Sequence, residues 1–248
     1  MVVTTTTKPT PAQRDRADRV GRRTGWPVVA RRRGLDAIFA QTGASMAYVV
    51  GRDREELVAK HQRVAVDLGM LHAHRAVGTS HPLIQSVGPA SLVIDATLGL
   101  CRDALHVAAV SGARIIGIEM SAALVCLAEE GLPRLAREEP AAAHIEPRLG
   151  DSQTVLRTLS ADVVMLSPMF DVPQEAAPGF DILRALAVEA PLDEGWLEAA
   201  FSAAPRVIMK VRPNQPVPGF AKDHIADVRH GRAVDYWTLL RAPPGGAT

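Results

Sequence analysis

Cysteine is nearly absent: Cys101 and Cys126 are the only two among 248 residues. No disulfide framework is available, so the fold must rest on a buried core and the thiols are expected to be reduced. Long apolar runs are also missing. None approaches the roughly 18 residues that a membrane span needs, and Met1 to Gln13 lacks the apolar centre of a signal peptide. A cytoplasmic protein without membrane partners is expected. Charge of one sign is lacking too, because 28 Lys and Arg balance 27 Asp and Glu to a formal net charge of +1. The chain as a whole therefore exerts no pull on nucleic acid. Metal-ligand patterning is thin: His72, His74 and His81 lie close together but have no acidic or cysteine partner at ligand spacing, so no metal site is expected. There is no internal repeat.

What is present suits an α/β core with a smaller accessory unit, since 47% of residues are hydrophobic and 22% charged. The most informative segment is Val93-Ile94-Asp95-Ala96-Thr97-Leu98-Gly99-Leu100, followed by Cys101-Arg102-Asp103. An apolar strand ends in a turn carrying Asp95, Thr97 and Gly99, and a helix opens directly after it. At such a strand end the helix presents unpaired backbone N–H groups, and a glycine lets a ligand approach the main chain. Only one glycine stands where dinucleotide folds carry three, so a nicotinamide-type fingerprint is not met.

The following strands extend the pattern along one edge. Arg114 to Ile118 ends in Glu119, placed to accept hydrogen bonds from two ribose hydroxyls. Ile145 to Leu149 ends at Gly150-Asp151-Ser152, and Asp162 to Leu166 ends at Ser167-Pro168-Met169-Phe170. Pro168, Met169 and Phe170 offer a wall for a small substrate, and Met120 is placed to touch an adenine.

These residues resemble the class I S-adenosylmethionine (SAM) methyltransferases related to the small-subunit rRNA guanine-N2 methyltransferase J and its Gram-positive relatives. The matching pieces lie between Asp95 and Arg241: Asp-Ala-Thr-Leu-Gly-Leu at 95–100, Arg102-Asp103, Glu119, Asp151-Ser152, Pro168-Met169-Phe170 and the strand Arg206 to Lys210. The resemblance implies a Rossmann-like seven-stranded sheet with SAM held by Arg102, Asp103, Glu119, Asp151, Ser152 and Ser167. It also implies methyl transfer. One position departs: the family has Asp where this chain has Ser167. An acid there accepts a hydrogen bond from a target amine and aims its lone pair at the methyl carbon. Serine is shorter, uncharged and a poor base. The acceptor is accordingly expected to be a small molecule or an RNA guanine, with nucleic acid possible but not favoured. The alternative is an intramolecular displacement in which SAM closes to azetidine-2-carboxylate and releases methylthioadenosine. Ser167 and His81 are the candidate catalytic residues, His81 as a base just ahead of the Rossmann-like half.

The expected architecture is an α/β, doubly wound sheet with an antiparallel edge hairpin, covering residues 89–241, preceded by a small N-terminal α/β cap in 1–88 and followed by a tail in 242–248. Within the cap, helices are expected at Ala12–Arg23, Leu35–Gln41 and Glu55 to about His74, with strands at Pro27–Ala30 and Met46–Val50. Residues 1–10 have the composition of a loose tail. The cap is expected to lie over the carboxyl edge of the sheet as a lid. Arg22-Arg23 and Arg31-Arg32-Arg33 flank Trp26 and read more simply as a solvated face than as an RNA track.

Overall fold

The computed structural model describes residues 1–60, 62–167, 179–187 and 193–241. Pro168, Met169, Phe170 and the 242–248 tail lie outside the described residues.

The chain opens with β1 (Val2–Thr5), α1 (Pro11–Thr24), α2 (Leu35–Thr42), β2 (Ala47–Val50), β3 (Glu55–Ala59), β4 (Gln62–Val64), α3 (Gly69–His74) and α4 (Pro82–Val87). The Rossmann-like half follows with β5 (Leu92–Asp95), α5 (Arg102–Ser111), β6 (Arg114–Glu119), α6 (Ala122–Leu135), β7 (Ile145–Leu149), α7 (Ser152–Leu156), β8 (Val163–Leu166), α8 (Phe180–Leu186), α9 (Glu194–Ala203), β9 (Arg206–Val211), β10 (Ile225–His230) and β11 (Asp235–Leu240).

The larger sheet runs β10-β11-β9-β8-β5-β6-β7. Its strands β5 to β9 pair in parallel, whereas β11 is antiparallel to both β9 and β10. This is the expected doubly wound sheet with a reversed edge. The chain leaves β5 toward β6 on one side and returns to β8 on the other, and in open α/β sheets the carboxyl ends at such a switch point are where a ligand crevice lies. The residues predict this arrangement locally. Val93 and Ile94 are fully buried, as are Val163 and Val164 beside them, and strands covered on both faces read as continuous β-branched runs.

The N-terminal region differs from expectation in two places. Residues 2–5 are no tail: β1 pairs in parallel with β2, and Thr4 is completely buried with its hydroxyl donating to Val29 O at 2.7 Å. Threonine is a β-branched strand former whose one polar group is satisfied here. The single helix expected from Glu55 to about His74 is instead β3, a turn, β4 and the short α3. Lys60, with φ of +47°, marks the turn. Leu57 and Val64 face each other across the pair and both are buried, so cross-strand packing overrides the helix propensity of Glu, Leu and Ala. The expected strand Pro27–Ala30 reduces to a single bridge between Val3 and Val28, and α4 takes up the Pro82–Val87 lead-in.

The resulting sheet β1-β2-β3-β4 rests on α6. A Cβ at Gly131 would stand 2.5 Å from Val66 Cβ, so only glycine permits this approach. Polar ties reinforce it: Arg16 donates to Cys126 O and pairs with Glu55, and Arg134 donates to Val66 O. One buried apolar cluster runs from Val3, Val20 and Tyr48 through Leu127 to Ile145 and Tyr236. The smaller sheet thus shares its core with the larger one.

Candidate active site

The turn after β5 builds the cradle. Gly99 sits at φ +52° and Cys101 at φ +61°, a left-handed pair of bends that swings the start of α5 onto the carboxyl edge. The non-glycine residue in this region stores local strain, which is common where a loop is shaped for a ligand. Cys101 is fully buried, and burial pushes its thiol up. Cys126 is likewise buried, with its thiol pushed up by burial.

Around this turn the side chains are held from both sides. Thr97 N–H donates to Asp95 Oδ1 at 3.1 Å, and Thr97 Oγ1 accepts from Ser167 N–H at 2.8 Å. This ties the end of β5 to the end of β8. Glu119 accepts from Gly99 N–H at 3.0 Å through one oxygen and from Ser121 N–H at 2.7 Å through the other. Met120 N–H also acts on this carboxylate, and because a carboxylate offers about four acceptor sites, room remains for a ribose hydroxyl. Ser152 is buried and donates to Ala96 O at 2.6 Å, bracing the turn. Asp151 caps α7, accepting from Thr154 N–H and hydroxyl. Arg102 opens α5 and Met120 stands 38% exposed at the tip of β6.

Asp103 is the hub. Its Oδ2 accepts from Lys210 Nζ at 2.7 Å and from Ser167 Oγ at 3.4 Å, while its Oδ1 is buried without a partner among the described residues. Burial works to raise this carboxyl, but the Lys210 ammonium outweighs it and holds the group below the usual range. Asp95 shows the opposite balance. Burial, then the negative charge of Asp103, push it up to about 7. Glu119 is raised by burial, with its backbone donors pulling the other way. Three carboxyls therefore crowd one edge against one lysine. That electrostatic pattern suits a ligand with cationic centres, and the unpartnered Asp103 Oδ1 is an acceptor waiting for a donor. SAM, with an ammonium, a sulfonium and a ribose diol, has the matching groups.

Most of the sequence-predicted residues, namely Asp95, Thr97, Gly99, Arg102, Asp103, Glu119, Met120, Asp151, Ser152 and Ser167, thus sit on the β5–β8 edge. Pro168, Met169 and Phe170 lie outside the described residues. His81 is the N-cap of α4, its Nδ1 accepting from Leu83 N–H at 3.2 Å, and its ring lies 4.4 Å from that of His106 on α5. Two residues carry more of the architecture than the sequence alone suggests. Lys210, on β9, is the counter-ion of Asp103. His106, fully buried, follows Asp103 by three positions and so shares its helix face.

Residues 34–232 match the SAM_MT family of SAM-dependent methyltransferases. The ribosomal RNA small subunit methyltransferase J of Rhodopseudomonas palustris is 35% identical over 66% of this chain and 85% of its own length. The uncharacterized protein YpiP of Bacillus subtilis is 24% identical over 98% of this chain and 100% of its own. Coverage of the relatives varies, and the match to the Chromohalobacter salexigens methyltransferase J spans 60% of that protein. Among solved structures, the SAM-dependent methyltransferase NGO1261 from Neisseria gonorrhoeae superposes with a TM-score of 0.71 at 20% identity, covering 100% of this chain and 98% of that one, and so shares the fold. The sheet order, the acidic edge after β5 and a family match spanning most of the chain converge: this protein belongs to the SAM-dependent methyltransferase family.

Proposed function

We propose that this chain methylates a nucleobase amine of RNA, with SAM bound across the β5–β8 edge. The observation that carries the cofactor half is the unpartnered, buried Asp103 Oδ1 next to Ser167. Asp103 with the Ser167 carbonyl would receive the amino-acid end, and Glu119 the ribose. Support for RNA comes from relatives named as rRNA methyltransferases. It shifts the balance from the charge argument, which measures the whole chain and not one face.

Ser167 shapes the chemistry in this reading. Its hydroxyl is already directed at Asp103, so no acid is free at the place where the family carries Asp. A neutral exocyclic amine needs to lose its proton only as the methyl arrives, and alignment supplies much of the acceleration. Ser167 would orient the amine through its hydroxyl oxygen, which can still accept while its hydrogen points to Asp103, with slower turnover than an acidic residue allows.

Glu119→Ala is expected to weaken SAM binding by roughly ten- to a hundredfold, the cost of losing charge-assisted hydrogen bonds to the ribose. Calorimetry with the folded variant checks this, and unchanged affinity would remove Glu119 from the site.

The reaction itself is read from the leaving group. Methyl transfer leaves S-adenosylhomocysteine, whereas self-cyclisation leaves methylthioadenosine. Protein incubated with SAM alone should be inert, and total RNA from cells lacking this gene should start S-adenosylhomocysteine formation with label in the RNA. Methylthioadenosine from SAM alone would support the cyclase, the reading that the missing acid at Ser167 favours. Methylation confined to ribonuclease-treated small-molecule extract would move the acceptor to a metabolite.

A further inference from the structure

His74, His81 and His106 come from three different elements and meet in one cluster. Their candidate ligand nitrogens all lie within 4.8 Å of one another, and the ring centroids are 4.6, 5.5 and 4.4 Å apart. His106 is fully buried, His81 is 9% exposed and His74 is half-buried at the end of α3. Among the described residues, neither ring nitrogen of His106 has a hydrogen-bond partner, nor does His74 Nδ1. Buried imidazoles left this way lose their hydration without recompense. Three of them facing each other make a poor packing solution, since an aliphatic side chain would fill the same space without the penalty.

We propose that His74, His81 and His106 form a three-nitrogen site for a divalent transition metal of the zinc class. Three imidazoles with a fourth position left for solvent or a ligand heteroatom is a donor set that zinc accepts. Nitrogens at about 2.0–2.1 Å from a tetrahedral zinc stand roughly 3.4 Å from each other, so the cluster closes by modest side-chain rotation, with half-buried His74 the freest to move. His81 has one lone pair, which Nδ1 now gives to Leu83 N–H at 3.2 Å. Ligation takes over that lone pair and gives up a long, weak cap for a metal bond. His81 is then a ligand, not a general base.

The surroundings agree. Burial pushes His106 down to about 4, with His81 and His74 adding to the effect. His81 is lowered by burial and then by His74. The formal charges acting on the cluster are Asp103, which favours a cation, and Lys210, which opposes it. These two are paired with each other at 2.7 Å. Tyr236 closes the cluster with its ring 6.2 Å from that of His81. His72, the other histidine of the His-x-His pair, is half-exposed and 3.7 Å from Glu138, outside the cluster. It is the internal control.

The test is direct metal binding by the full chain after dialysis against a chelator, which needs neither SAM nor an acceptor. Co2+ titrated into the protein should saturate at one equivalent with the intense visible absorption of a tetrahedral site, and Zn2+ should displace it. His74→Ala and His106→Leu should each weaken Co2+ binding by at least about a hundredfold, whereas His72→Ala should not. His74→Ala carries the test if His106→Leu folds poorly, since His74 is the least buried of the three; circular dichroism checks both. No saturable uptake of either metal by the wild type up to roughly 100 μM would overturn the proposal. So would wild-type affinity in a folded His74→Ala or binding lost equally in His72→Ala.

Discussion

Asp103→Asn is expected to weaken SAM binding on the order of a hundredfold while leaving methylthioadenosine binding nearly unchanged. Asp103 carries the unpartnered buried Oδ1, and its Oδ2 neutralises Lys210. The substitution keeps the shape of the side chain and removes its charge. An ammonium group then loses a charge-assisted hydrogen bond, about 1.5–3 kcal/mol by itself. It also faces Lys210 without a counter-ion. The two effects add for any ligand carrying the amino-acid end. Methylthioadenosine has the adenosine half but no ammonium, so it should not sense the change. Glu119→Ala should weaken both ligands, because both carry the ribose. Paired titrations therefore map the two ends of the cradle separately. Equal losses for both ligands in Asp103→Asn would mean that the turn had deformed, and no loss for SAM would place its amino-acid end elsewhere.

The larger sheet and its edge were legible because each residue type there answers to a local rule. Fully buried parallel strands need unbroken apolar runs, and Val93-Ile94 and Val163-Val164 are such runs. Polar residues at their ends have only the carboxyl edge to occupy. The smaller sheet was less legible because its strands depend on partners far away in sequence. Val2 to Thr5 is stabilised by β2 more than 40 residues later, and the helix-forming letters after Glu55 are overruled by pairing with β2 and β4. Nothing within either segment reveals this, although the β-branched run Val-Val-Thr-Thr was a signal that its polarity masked.

The site residues that sequence reasoning passed over share one cause. Lys210 and His106 act through contacts made across the fold, not through a motif at their own position. Lys210 was nevertheless conspicuous: lysine occurs only at positions 8, 60, 210 and 222 in an arginine-rich chain, and here it closes a strand next to the crevice. An ammonium is a compact point charge that fits behind a single carboxylate oxygen, where a guanidinium would demand two. His106 had a fainter signal in its spacing of three from Asp103, which puts both on one helix face.

Asp95 gives the second large effect, on stability. Its carboxyl is 3% exposed and pushed up to about 7 by burial and then by Asp103. A raised acid pKa means that the folded state holds a proton that the unfolded chain releases near pH 4. Its stabilising influence is complete well below that value and is lost as pH rises to about 7, at a cost on the order of 4 kcal/mol once the group is ionised in the fold. Asp95→Asn removes the ionisation while its Oδ1 can still accept from Thr97 N–H. The ligand-free variant should therefore come close to the wild type near pH 4 and exceed it at pH 8, by about 8–16 °C in Tm for a chain of this size. Melting curves across this pH range check the sign, and a wild type as stable as the variant at pH 8 would refute it. The same proton couples to function. A cationic ligand beside Asp95 favours its ionised form, so SAM binding near pH 6.5 should release a fraction of a proton, and Asp95→Asn should abolish that release. Calorimetry in buffers of different ionisation enthalpy separates the two proteins: a buffer-dependent binding heat is expected for the wild type and a buffer-independent one for the variant.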